Sequence, residues 1–138
     1  MESLAAELKC PMQFVGFQTN IPEWLTAADI VLVPSHAEPL GNATLEAMAH
    51  GRPVIGGDVG GIPEMIIHNE TGLLVPPKTP AALADALSQL LGNAAIRERM
   101  GIAARHECEA RFSIEAHVRA VVAEYRIVLA ISAANAID

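Results

Sequence analysis

Apolar positions along this chain fall into two patterns: short unbroken runs, and longer stretches with helical spacing. Ile30-Val-Leu-Val33 is a continuous apolar run closed by Pro34, the pattern of a buried parallel strand. Pro53 to Gly56 and Leu73 to Val75 read as two more strands, the latter after a turn containing Gly72. Gln13-Phe-Val-Gly-Phe17 reads as a further short strand, and Met1 to Lys9 as a helix remnant. Ile21 to Ala28, with Pro22 near its start, predicts one or two helical turns. Asn42 to His50 is an Ala-rich helix, with Gly51 fitting its C-terminal cap and Pro53 beyond it. Gly57 to Gly61 is a flexible loop, and Gly61-Ile-Pro-Glu-Met-Ile-Ile67 begins a short helix with Pro63 in its first turn.

The rest of the chain is helical. Thr79 is suited to an N-cap and Pro80 to the first helical position. Leu83, Leu87, Leu90 and Leu91 then recur at helical spacing until Gly92. Ala94 to Ala110 predicts a second helix, weakened at Gly101. Ser113-Ile-Glu-Ala opens a terminal helix over about 113–134, with an apolar stripe of Val118, Val121, Val122, Tyr125 and Leu129. Strands alternating with helices imply an α/β fold, a Rossmann-like parallel sheet with flanking helices.

Composition adjusts this picture. A chain of 138 residues makes at most one domain, and 51% hydrophobic residues is high for its size, which points to surfaces normally covered by something else. The formal net charge of −7 disfavours a nucleic-acid partner. No apolar run has the length of a transmembrane segment and no secretory pattern opens the chain, so a cytoplasmic setting is expected. Cys10 and Cys108 lack metal-ligand spacing and read as free thiols. In the same setting the acceptor-like triplets Asn42-Ala-Thr44 and Asn69-Glu-Thr71 are coincidental. No histidine pair has zinc-type spacing with a third ligand, and neither a P-loop nor a hydrolase triad pattern occurs.

The chemistry concentrates in Glu38-Pro-Leu-Gly-Asn-Ala-Thr-Leu-Glu46. Glu38 falls on the loop after a strand, at the edge of an open α/β sheet where ligands bind. Glu46 falls about one turn into the following helix. Between them the helix start offers unpaired N–H groups and a positive dipole end to an anion. Two carboxylates flanking a phosphate site suit a ligand with phosphates in the middle and hydroxyls at both ends, as in a nucleotide sugar. Gly41 permits close backbone approach. Leu40, Gly41, Asn42 and Ala43 act through their amides in this reading, although a plain turn and N-cap would use the same residues.

The same stretch resembles the donor-binding domain of retaining GT-B glycosyltransferases of family 4. Ala27-Ala-Asp-Ile-Val-Leu-Val-Pro-Ser35 looks like that family's preceding strand, and Leu45-Glu-Ala-Met-Ala-His-Gly-Arg-Pro-Val-Ile55 like its helix, turn and next strand. Gly60-Gly-Ile-Pro-Glu64, Thr71-Gly-Leu-Leu-Val-Pro-Pro77 and Arg111-Phe-Ser113 follow in the family's order. The resemblance runs from about Val15 to Tyr125 and implies an incomplete C-terminal half of a GT-B fold, one partial domain over residues 1–138.

By this resemblance Glu38 is the catalytic residue, contacting hydroxyls of the donor hexose near the anomeric centre and favouring positive charge that develops on the ring, while Glu46 accepts hydrogen bonds from the ribose hydroxyls. A UDP-, GDP- or ADP-hexose is then a substrate, and neither a cofactor nor a metal is required. The loop at Gly16 and Phe17 lies near the nucleobase in the family, although a core or edge aromatic is the simpler role for Phe17. The family's acceptor-binding domain and the first two strands of the donor domain, which lead to a diphosphate-binding Arg and Lys, have no counterpart here. The expected partners are that missing half, or a split partner carrying it, and a second copy covering the open edge of Ile30 to Val33 as a homodimer or strand-exchanged dimer. The isolated chain is expected to be inactive. The alternative is a non-catalytic sugar-nucleotide-binding or interaction module derived from such an enzyme.

Overall fold

The computed structural model describes residues 2–135 of the chain. In order, the elements are α1 (Glu2–Glu7), α2 (Ile21–Ala27), β1 (Val31–Val33), α3 (Asn42–Ala49), β2 (Val54–Gly57), α4 (Ile62–Met65), β3 (Gly72–Val75), α5 (Pro80–Leu91), α6 (Ala94–Arg111) and α7 (Ile114–Asn135). The three strands form one parallel sheet in the order β1-β2-β3. Val31 stands opposite Val54, and Ile55 opposite Leu73.

The pleat of β2 divides the interior. Val54 faces a cluster with Val33, Met48, Ile62, Met65 and Ala104, whereas Ile55 faces Leu73, Val75, Ala86, Leu90 and Met100. Helix α6 joins the two, since Met100 belongs to one cluster and Ala104 and Cys108 to the other. Burial pushes the Cys108 thiol up, with the nearby Glu109 charge adding to it, so it stays a thiol packed near the Leu45 carbonyl at 3.7 Å.

The end of α3 shows why the local sequence works. Gly51 adopts a left-handed conformation at φ 65°. Its N–H bonds Met48 O at 2.9 Å, and Arg52 N–H bonds Ala47 O at 3.0 Å. This double closure satisfies carbonyls that the helix would otherwise leave unpaired.

Three expectations are corrected. Gln13–Phe17 forms no strand, and Phe17 is 92% exposed rather than a core or edge aromatic. The sheet holds β1, β2 and β3 alone among the described residues, and an extended segment that pairs with no strand is not a stable strand. Thr79 stands at the N-cap position of α5 as expected, but its hydroxyl makes no capping bond and donates instead to Pro77 O at 3.2 Å. The side-chain cap of this region belongs to α6, where Asn93 Oδ1 accepts from Ile96 N at 3.1 Å. Helix α6 runs through Gly101, which is buried and sits against the Gly51 turn. The expected stripe on α7 is present and is largely uncovered among the described residues, with Tyr125 66% and Leu129 67% exposed.

Candidate functional site

All three strands point their C-terminal ends at the same edge, because the sheet is parallel. The loop from β1 to α3 carries Glu38 along that edge. Glu38 is half-buried, and Ser35 Oγ donates to its Oε2 at 3.3 Å, which orients the carboxylate. Gly41 sits at φ 95°, a left-handed turn that starts α3 abruptly. A Cβ there would meet Ile62 Cγ1 at 3.2 Å and Glu38 Cγ at 3.4 Å.

No side chain caps α3, so the first-turn amides at Asn42 and Ala43 keep their donors for an external acceptor. Asn42, Ala43 and Glu46 are exposed on one side of the helix, while Thr44, Ala47 and Met48 are buried on the other. Leu45 is half-buried and Ala49 is exposed. His50 turns back on its own helix, with Nδ1 2.8 Å from Glu46 O. The structure thus brings Glu38, Leu40, Gly41, Asn42, Ala43 and Glu46 together as a loop and helix start at the sheet's C-terminal edge.

The Gly60-Gly61 pair underlies this loop. Gly61 N–H bonds Glu38 O at 3.2 Å, and a Cβ on Gly61 would lie 2.7 Å from Leu40 O. A Cβ on Gly60, whose φ is +55°, would lie 1.7 Å from Glu38 O. Both glycines act by letting one backbone rest on another.

Next to Glu38 lies a cavity of about 100 Å³ between Ser35, His36, Gly57 and the strap from Val75 to Pro80. At roughly 30 Å³ per water it holds a few waters or part of a ring, not a whole nucleotide, so a larger ligand must lie across the open edge. Lys78, at φ 58°, puts a cation on the cavity's rim. No motif assigns Lys78 to the site, although the Pro76-Pro77-Lys78-Thr79-Pro80 run after a strand marks a stiff strap at the functional edge. Thr44 is fully buried, and its hydroxyl has no hydrogen-bond partner among the described residues. His68 is structural: its Nδ1 accepts from Leu74 N at 2.9 Å. Among the described residues no three His, Cys, Asp or Glu side chains converge as a metal site requires, and no helix is long and apolar enough to cross a membrane.

Known proteins resemble this chain in sequence and in fold. Residues 1–93 match the family model described as glycosyl transferases group 1. The D-inositol 3-phosphate glycosyltransferase of Corynebacterium diphtheriae is 47% identical over 78 residues, which is 56% of this chain and 18% of that protein. A sucrose-phosphate synthase from Thermosynechococcus elongatus superposes with a TM-score of 0.84 at 36% identity, over 94% of this chain and 34% of that one. The HepE protein of Anabaena, solved with UDP and glucose, superposes with a TM-score of 0.79 at 25% identity, over 96% of this chain and 35% of that one. The chain therefore spans about a fifth to a third of the length of these relatives. On the match over residues 1–93 and the shared parallel sheet, it belongs to the group 1 glycosyl transferases, and its fold is a partial Rossmann-like domain of the GT-B type.

Proposed function

We propose that this chain is the nucleotide-sugar-binding part of a retaining glycosyltransferase that moves a hexose to a hydroxyl acceptor. The observation that carries the reading is the uncapped start of α3 with Glu38 before it and Glu46 beyond it, at the C-terminal edge of the sheet. The helix-start amides and the turn at Leu40 and Gly41 bind diphosphate oxygens. Glu46 accepts from the ribose hydroxyls. Glu38, held by Ser35, accepts from the hexose hydroxyls and favours positive charge developing on the ring. The acceptor oxygen bonds to the anomeric carbon as the bond from that carbon to the leaving phosphate breaks, and the phosphate takes the acceptor's proton on the same face. The chain's own residues bind and orient, and neither a cofactor nor a metal is needed for that work. A cytoplasmic setting fits this use of a nucleotide sugar. The HepE relative solved with UDP and glucose makes the uridine donor the first to test.

Ligand-observed NMR of the purified chain against UDP-, GDP- and ADP-glucose is the direct test. Saturation transfer to one of them is expected, with affinity falling about tenfold or more in Glu46→Ala, as loss of a charge-assisted hydrogen bond implies. Equal transfer to the variant would remove Glu46 from the site. The 138 residues alone are expected to give negligible transfer, with activity appearing when an acceptor domain is supplied in trans.

The uncovered faces favour a second reading, an interaction module that binds a sugar nucleotide without catalysis. Strand β1 has an unpaired edge with Leu32 exposed, and α7 carries its apolar stripe in the open. Such surfaces associate. The isolated chain is expected to run as a dimer by light scattering at high concentration, and a clean monomer there would refute this. Restored transfer on adding the acceptor half would favour the enzyme over the module.

A further inference from the structure

At the opposite edge of the sheet from Glu38 lies a second cavity, of about 500 Å³. Asp29 before β1, the Gly51-Arg52-Pro53 turn before β2, and the first half of α6 line it. Arg52, Arg97 and Arg105 all border it, so three of the nine basic residues of an acidic chain meet at one place. The carboxylates on its wall, Asp29 and Glu98, are outnumbered.

The donors there are not used up. Arg52 Nε is buried and has no hydrogen-bond partner, an expensive condition for a guanidinium N–H. Arg97 fixes itself by donating from one terminal nitrogen to Leu90 O at 2.6 Å and Leu91 O at 3.1 Å, while a guanidinium carries five donors in all. Arg105 is held by Glu109 through Nε at 2.8 Å, an exposed pair that leaves its terminal nitrogens for another acceptor. Ala94, the first residue of the 18-residue α6, also lines the cavity and brings the positive end of the helix to it.

We propose that this cavity is a phosphoryl-binding site for a phosphorylated small metabolite, separate from the nucleotide-sugar shelf. Planar guanidiniums match tetrahedral oxyanions with paired hydrogen bonds, and the three arginines that line the cavity supply them. The volume exceeds what free phosphate fills and falls within the range of small-molecule sites. Asp29 and Glu98 sit where they accept from hydroxyls on the remainder of the molecule.

The test follows the arginine Nε–Hε resonances of the whole chain during titration with inorganic phosphate, with glycerol 3-phosphate, and with chloride at matched ionic strength. The Arg52 resonance is expected to shift and saturate with both phosphates and not with chloride. Arg52→Lys should weaken binding by about tenfold, and Arg105→Gln, at an exposed position, by about fivefold. Glu46→Ala should leave the titration unchanged, which keeps this result independent of the nucleotide-sugar reading. Tighter binding of glycerol 3-phosphate than of phosphate identifies a metabolite site, and equal affinity identifies a site for free phosphate. No shift, a shift that chloride reproduces, or unaltered binding in Arg105→Gln overturns the proposal even if Arg52→Lys does not fold.

Discussion

Gly60→Ala is expected to abolish useful nucleotide-sugar binding while leaving most of the chain folded. The new Cβ would fall 1.7 Å from Glu38 O and 2.7 Å from Glu38 C. Both are backbone atoms, so no rotamer change relieves the overlap, and the left-handed backbone at φ +55° adds strain for any side chain. Either the Gly60 loop or the Glu38 loop must move by more than an ångström. Gly60 is itself exposed, so the fold can yield locally, at a cost of about 1–3 kcal/mol. The site cannot yield in the same way. Displacing a positioning group by about 1 Å costs on the order of a hundredfold, and the same is expected of donor affinity here. Gly51→Ala is the control: its φ is +65°, but its Cβ would lie 3.6 Å from its nearest neighbour, an ordinary contact. It should cost about 1 kcal/mol and leave binding intact. Amide shifts at Leu40 to Ala43 that stay put in Gly60→Ala, with unchanged binding, would show that the two loops do not depend on each other.

The same two glycines show what the sequence reveals and what it withholds. Gly60-Gly61 lies in a recognisable signature, and the expectation that it shapes a loop matches its geometry. Which loop it shapes was not legible, because the partner is Glu38, 22 residues earlier in the chain. Local signals were read well. Pro53 after Gly51 marked the end of α3, and the apolar runs marked β1 to β3. Failures came where the outcome depends on a distant partner. Gln13–Phe17 has strand composition but no strand beside it. The arginine cavity joins residues from position 29 to position 105, a separation that no motif spans.

Gly101→Ala should destabilise the fold strongly, and this prediction opposes helix propensity. Gly101 lies within the 18-residue α6, where propensity alone credits alanine with about 1 kcal/mol over glycine. Packing gives the opposite sign. The added Cβ would lie 2.1 Å from Gly51 O and 3.1 Å from Gly51 C, and Gly51 is the left-handed residue that closes α3. Relief requires α6 to back away from the turn. That helix carries Met100, Ala104 and Cys108 into two separate clusters, so both loosen at once. Overpacking of this kind costs about 3 kcal/mol, which more than cancels the propensity gain and lowers the melting temperature by roughly 10 °C. Thermal unfolding followed by circular dichroism gives the answer directly. A variant that melts at or above the parent temperature would mean that α6 and the Gly51 turn do not meet as described, and the arginine cavity built on that contact would lose its frame.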